Sequence, residues 1–308
     1  MIEETVIVSS DEKFPLDGIL VLPENLSTPV PAVVLVHGSG PNDKNEQIKK
    51  TALFKDLAEA LGKQEIASIR YDKRTFVYGK EMTEDRTLSV REETIDDAVA
   101  AASLLRNDSR IDAKRIFIIG HSMGAMLAPR IDAEGGNFAG LLLLAGSPRK
   151  FEEIFIEQNN VMIAQLNKVL QWIAKKQIAA LNKKLIGIYD LSDEEAQRTM
   201  VLGKHVSAYY LKEWGEHSAS DYLSVLSKPI MILQGDKDFH VSVEKDFGAY
   251  QHLLADKSNV TFKLYPNLSH VFMPSQGKTI KDGLAEYDAD IHLASEVAND
   301  IVNFIKEN

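Results

Sequence analysis

Short apolar runs alternate along the chain with longer segments in which apolar residues recur every three or four positions. The runs "PAVVLVHG" (31–38), "EIASIRYD" (65–72), "KRIFIIG" (114–120), "FAGLLLLAG" (138–146), "KPIMILQGD" (228–236) and "VTFKLYP" (260–266) predict strands, several of them apolar throughout. Between them, helical spacing appears over 46–62 (Ile48, Leu53, Leu57, Leu61, with Gly62 as a stop) and over 90–108 (Ile95, Val99, Ala102, Leu105). Further helices are predicted from Met123 onward, over 242–256 and over 285–306. At the N-terminus "ETVIVSS" and "LDGILVLP" predict an antiparallel pair joined by a short polar turn. Uniformly apolar strands separated by helices imply an α/β fold: a mostly parallel sheet covered by helices on both faces.

The alternation stops at 149–226, which shows no convincing strand. Phe151, Ile154, Phe155, Met162, Leu166, Val169 and Ile173 fall at helical spacing, and Ser192 with Glu195 forms a capping box. This segment predicts a helical cap insertion, leaving 1–148 and 227–308 as the core. The chain shows no internal repeat and no low-complexity stretch.

Where strand 114–120 ends, "GHSMG" places Ser122 between Gly120 and Gly124, and a helix follows. Strand, G-x-S-x-G and helix in that order form the nucleophile elbow of the α/β-hydrolase fold. The turn forces strained backbone angles on the serine and brings the flanking backbone into contact, so Gly120 and Gly124 must lack side chains. Pro129 in the following helix predicts a kink or an early end there.

A serine hydroxyl needs a base, and the base needs an orienting acid; this fold supplies them in the order Ser, acid, His. His37 and His121 precede Ser122. His205 and His217 lie in the insertion, His252 and His292 in predicted helices, and His240 comes too soon after the acid. His270, in the loop after a strand ("YPNLSHVF"), remains. Asp236 and Asp238 both follow a strand in "ILQGDKDFHV", and the position farther along the loop favours Asp238. The alternation Asp236, Asp238, His240 can also be read as metal ligands, but that site would compete with the triad and has no further ligands nearby. Backbone N–H groups of Met123 and Ser39 are the expected oxyanion donors, with Gly38 and Gly40 letting the early loop turn its amides inward.

Composition narrows the classes. The 308 residues carry a formal charge of -10, which argues against nucleic-acid binding and anionic membrane surfaces. The absence of cysteine removes disulfides, a thiolate nucleophile and cysteine metal sites. No apolar run is long enough to span a bilayer, and "MIEETVIVSSDEK" is acidic and strand-like, so a cytoplasmic protein is expected.

The stretches "VHGSGPNDKNE", "RYDKRTFVYGK", "IDAKRIFIIGHSMGAMLAPRI", "ILQGDKDFHV" and "YPNLSHVF" together resemble bacterial α/β-hydrolase carboxylesterases, beside the dienelactone-hydrolase-like and prolyl-oligopeptidase-like branches. The resemblance implies a Ser122–Asp238–His270 triad, oxyanion amides at Ser39 and Met123, a helical cap over the pocket, and hydrolysis of esters with small acyl groups, short-chain or aryl. It requires no metal and no cofactor; the implied partner is a small-molecule ester. The chain departs from the pattern R-Y-D-x-R-G at Thr75, and Asp72 and Arg74 read as structural loop residues. Tyr209, Tyr210 and Trp214 are candidate pocket residues, whereas Trp172 is expected to pack the cap onto the core. A serine peptidase, a thioesterase or acyltransferase, and a non-catalytic binding protein on the same scaffold are the competing readings. The apolar face of the 151–173 helix allows a homo-oligomer.

Overall fold

The computed structural model describes residues 1–9, 11–24, 26–202, 206–277 and 280–308. Its main strands are β1 (Ile2–Val8), β2 (Leu16–Leu22), β3 (Val30–Val36), β4 (Ala67–Tyr71), β5 (Ile111–His121), β6 (Leu141–Leu144), β7 (Ile230–Gly235) and β8 (Val260–Tyr265). Among the described residues they form one eight-stranded sheet in the order β1-β2-β4-β3-β5-β6-β7-β8. β2 pairs antiparallel with both β1 and β4, and every pairing from β4 to β8 is parallel.

Alternate residues of the central strands face opposite layers, which is why these strands read as unbroken apolar runs. Val33, Leu35, Phe117 and Ile119 pack with Leu53, Phe54, Leu57 and Leu61 of α1 (Leu53–Gly62) and with Val297, Ile301 and Ile305 of α12 (Ser295–Glu307). Val34, Val36, Ile116 and Ile118 pack instead on α3 (Asp96–Asn107) and α4 (Met123–Ile131). Ala98, Ala101 and Ala102 line the inner face of α3, letting that helix approach the sheet closely.

Between β6 and β7 lie α5 (Phe151–Ala164), α6 (Lys168–Ile186), α7 (Asp193–Arg198), α8 (Ala208–Glu216) and α9 (Ala219–Val225). Leu185, Ile188, Ala196, Val201, Ala208 and Leu211 form a small apolar cluster within this segment. Its last helix is not separate from the core, because Ala219 and Leu223 of α9 join the cluster that includes α4. The remaining helices are α2 (Arg74–Glu84), α10 (Gly248–Leu253) and α11 (Ile280–Glu286). Among the described residues, no helix is long and apolar enough to cross a membrane.

Several expectations are corrected. The helix read over 46–62 begins only at Leu53; residues 47–48 and 51–52 form a two-stranded hairpin, with Glu46 and Lys49 at positive φ. The insertion contains two short strands, Met200–Leu202 and Val206–Ser207, paired antiparallel. The helix read over 285–306 is two helices, and His292 lies between them, 3.2 Å from Asp56. Arg74, expected in a loop, opens α2. His205 lies outside the described residues.

At Pro129 the helix ends early without a kink: α4 stops at Ile131, two residues on, and gives way to a π-helical turn, Asp132–Gly136. The proline φ is already helical, and every residue of α4 is buried, so packing holds the helix where one backbone bond is missing. Trp172 is 61% exposed and does not bind the insertion to the core; Lys176 Nζ sits 3.8 Å above its ring.

Ile118 has no exposed surface and sits at the centre of β5 between β3 and β6. Ile118→Ala should lower unfolding free energy by about 3 kcal/mol, read from the urea midpoint at unchanged slope.

Candidate active site

β5 runs into the elbow and stops at His121, where Ser122 takes φ 53° and ψ -114° and becomes the N-cap of α4. The sheet imposes this angle: the Ser122 N–H still donates to the Leu144 carbonyl of β6 at 2.8 Å, while its own carbonyl accepts from Ala125 and Met126. A Cβ on Gly120 would strike the carbonyl of Gly124, and one on Gly124 would strike the carbonyl of Val36. Met123 opens α4, so its N–H belongs to the first turn, which has no acceptor within the helix.

The acid and the imidazole arrive from β7 and β8. Asp238 Oδ2 lies 2.7 Å from His270 Nδ1, with the carboxylate wholly buried. That carboxylate also accepts from Gln234 Nε2 at 2.7 Å and from the backbone N–H groups of His240 and Val241 at 2.7 and 2.9 Å. Burial drives its pKa upward, but the facing His270 ring and these donors outweigh burial and hold it below the ordinary carboxyl value. Asp236 points elsewhere and accepts from the Asn267 N–H at 2.6 Å. His240 lies beside His270, 4.7 Å between ring centres with the rings tilted by 50°, and burial, reinforced by the neighbouring His270, pushes its pKa down to about 3. It is therefore neutral at ordinary pH. Among the described residues no group of three potential ligands is placed to hold a metal ion.

His121 joins the elbow to the His270 loop, its Nε2 donating to the His270 carbonyl at 3.1 Å. Ser122 Oγ makes no hydrogen bond to any described residue, His270 included, whereas His270 and Asp238 are joined. Such hydroxyl–imidazole contacts commonly tighten only when substrate is bound.

The loop after β3 supplies the third component. Gly38 N–H donates to Glu46 Oε1 at 2.6 Å, and Gly38 O accepts from Lys73 Nζ at 2.9 Å. The Ser39 amide has no acceptor among the described residues. Ser39, Gly40 and Met123 share one wall of a cavity of about 410 Å³. Its other walls are mostly apolar and include Met82, Leu88, Phe151, Tyr210 and Trp214. Tyr210 and Trp214 line this cavity, whereas Tyr209 does not; it packs against the small cluster inside the insertion. A second cavity, also about 410 Å³, touches Asp238, His240 and Gln158. A larger groove of about 600 Å³ between α1 and α12 is lined by none of the candidate site residues.

The sequence model of the family described as serine aminopeptidase, S33 matches residues 27–274, a span holding every candidate site residue. The chain belongs to this family. The chain is also similar to Esterase EstD of Thermotoga maritima, 32% identical over 292 residues; the match takes in 94% of this chain and 65% of that protein's length. The solved structure of a proline iminopeptidase from Mycobacterium smegmatis superposes with a TM-score of 0.62 at 15% identity, over 99% of this chain and 98% of the other. Est1E from Butyrivibrio proteoclasticus gives 0.59 at 14% identity, over 98% of each chain. These structures share the α/β-hydrolase fold of this S33 member.

Two buried charged residues beside the site escaped the sequence reading. Glu46 begins the segment expected to be helical, yet it sits at φ 49° with its side chain 3% exposed, Oε1 lying 3.0 Å from His121 Nδ1 and off the line of the ring N–H. Lys73, inside "RYDKRT", is 2% exposed and pairs with Glu93 at 2.7 Å. The signal available was the density of charge and glycine in "HGSGPNDKNE" directly after a buried strand.

Glu46 also sorts two buried imidazoles. Burial lowers the His37 pKa to about 4, leaving that ring neutral. At His121 burial acts the same way, but the Glu46 charge outweighs it and raises the pKa above the usual 6.5; burial pushes the Glu46 carboxyl up, and His121 pulls it below 4.5. The histidine contribution to stability is complete below pH 6.5 and fades as pH rises through its higher folded value. The glutamate contribution is complete above pH 4.5 and is lost as pH falls through its lower folded value. Glu46→Gln should therefore destabilise by about 3 kcal/mol in denaturant unfolding. That deficit should be greatest between pH 4.5 and 6.5 and shrink on the alkaline side.

Proposed function

We propose that this S33-family chain is a serine carboxylesterase acting on small acyl esters, short-chain or aryl, with Ser122, His270 and Asp238 as its triad. The observation that carries the reading is the buried 2.7 Å Asp238–His270 pair, whose imidazole lies 4.7 Å from the His121 ring at the elbow on which Ser122 is held at positive φ. His270 takes the Ser122 proton as Oγ attacks the ester carbonyl, and the Ser39 and Met123 amides receive the developing oxyanion. The imidazolium, stabilised by Asp238, protonates the departing alcohol; His270 then activates water to release the acid. The insertion serves as a cap whose α8 walls the apolar cavity, and a cytoplasmic location fits a chain with no cysteine.

The family description favours a second reading, an aminopeptidase, which would need a free carboxylate to hold a substrate ammonium. Glu93 is the sole carboxylate among the described walls of the apolar cavity, and Lys73 already neutralises it. This favours an uncharged acyl group.

Ser122→Ala should lower turnover of p-nitrophenyl acetate by roughly 10⁴-fold or more and abolish fluorophosphonate labelling while leaving the melting temperature within a few degrees. Retained turnover overturns the assignment. Faster cleavage of aminoacyl p-nitroanilides than of p-nitrophenyl esters would put the peptidase reading ahead.

A further inference from the structure

We infer that Lys73 is a positioning residue for the oxyanion hole, holding the Gly38–Ser39 peptide so that the Ser39 N–H faces the cavity. The inference rests on the serine-hydrolase reading and extends it to a residue with no part in the triad. A trans peptide unit is planar, so the Gly38 carbonyl and the Ser39 N–H point in opposite directions. Lys73 Nζ takes that carbonyl at 2.9 Å from one side. The Ser39 N–H therefore points away from the ammonium, and Ser39 lines the same cavity as Met123.

The preceding peptide is fixed as well, because the Gly38 N–H is held by Glu46 at 2.6 Å. Flipping the Gly38–Ser39 unit would strip one of two acceptors from an ammonium that is 2% exposed, break the 3.2 Å bond that Asn42 Nδ2 also donates to the Gly38 carbonyl, and turn the Ser39 N–H toward that positive charge. The ammonium also polarises the amide it binds, strengthening the N–H at its far end as a donor to an anion. Lys73 Nζ lies 3.9 Å from Met123 Sδ as well, so one charge neighbours both residues whose amides form the hole.

Lys73 is itself anchored to the cap. Its Nζ pairs with Glu93 Oε1 at 2.7 Å, and Glu93 Oε2 accepts from Tyr210 Oη of α8 at 2.7 Å. A continuous chain of contacts thus runs from a cavity wall on the cap, through Glu93 and Lys73, to the Gly38 carbonyl.

Lys73→Met removes the donor, and Lys73→Met/Glu93→Gln removes it without leaving an unpaired buried carboxylate. For p-nitrophenyl acetate, kcat should fall by about 10- to 100-fold in the double variant, the scale expected for a misplaced donor, with KM changed less than twofold. Affinity for a trifluoromethyl ketone, which forms the tetrahedral adduct with Ser122, should fall by the same factor as kcat/KM. A loss of packing alone would lower the amount of active protein without this parallel loss. In the unaltered protein, the Ser39 amide proton should move downfield with that of Met123 when the ketone binds. A folded double variant with kcat and ketone affinity within twofold of the parent, or an unmoved Ser39 amide in the adduct, overturns this inference and leaves the esterase reading standing. A parent protein that neither hydrolyses the ester nor forms the adduct overturns both.

Discussion

The contact between the opening turn of α4 and the end of β3 organises everything else. With Gly124 pressed on the Val36 carbonyl and Gly120 on the Gly124 carbonyl, strand and helix meet more closely than any side chain permits. Ser122 has nowhere to go but positive φ, at a cost on the order of 1–3 kcal/mol. The sheet holds it there: β5 is laddered on both sides, by β3 and β6, and the Ser122 N–H continues the ladder onto Leu144. Strain of this kind persists only where the surroundings over-determine it. The fully buried central strands provide that determination, and the loops that carry His37, Asp238 and His270 converge on the same sheet edge.

Around this turn the protein buries charge rather than avoiding it. Glu46 with His121, Lys73 with Glu93, Arg74 with Asp97, and Asp238 with His270 all lie in the interior. Buried ion pairs of this type contribute little net stability compared with well-packed apolar residues. What they supply is direction. Glu46 fixes one backbone donor, Lys73 fixes the acceptor of the same glycine, and His121 ties the elbow to the carbonyl of His270. Each bond removes a rotation that would otherwise have to be frozen when charge develops on a substrate, and a preorganised dipole costs nothing at that moment.

The difference between what the sequence displays and what it hides follows from range. The strands and the elbow depend on residues that are neighbours in the chain, and "KRIFIIGHSMG" carries both in one line. His270 was reachable by order and Asp238 by its place after β7, since both depend on the topology the strands already imply. Glu46 and Lys73 were not reachable, because hydropathy marks a charged residue as exposed unless its partner is known, and His121 and Glu93 lie far along the chain. The error at residues 46–52 has the same root. Ile48 keeps helical spacing with Leu53 by coincidence, while positive φ at Glu46 and Lys49 belongs to a hairpin whose reason is the bond from Glu46 to Gly38. The insertion was legible as helical but not in its docking: nothing in the spacing around Trp172 separates a face turned to the core from one turned to solvent.

Two cavities, one lined by Met123 of the elbow and the other by Asp238, differ in a way that bears on ester orientation. On the side of Ser39 and Met123 the walls are Met82, Leu88, Phe151 and Trp214, and the one carboxylate, Glu93, is neutralised. On the side of Asp238 the walls include His240, Gln158, Glu157 and Lys245. On the proposed reading the alcohol must leave toward His270, which protonates it, and the acyl group must stay where the oxyanion amides hold its carbonyl. The acyl chain then occupies the apolar cavity and the alcohol faces the polar one. Chain length on the acid side should accordingly be governed by van der Waals fit against the α8 aromatics, whereas a polar alcohol meets side chains able to hydrogen-bond with it.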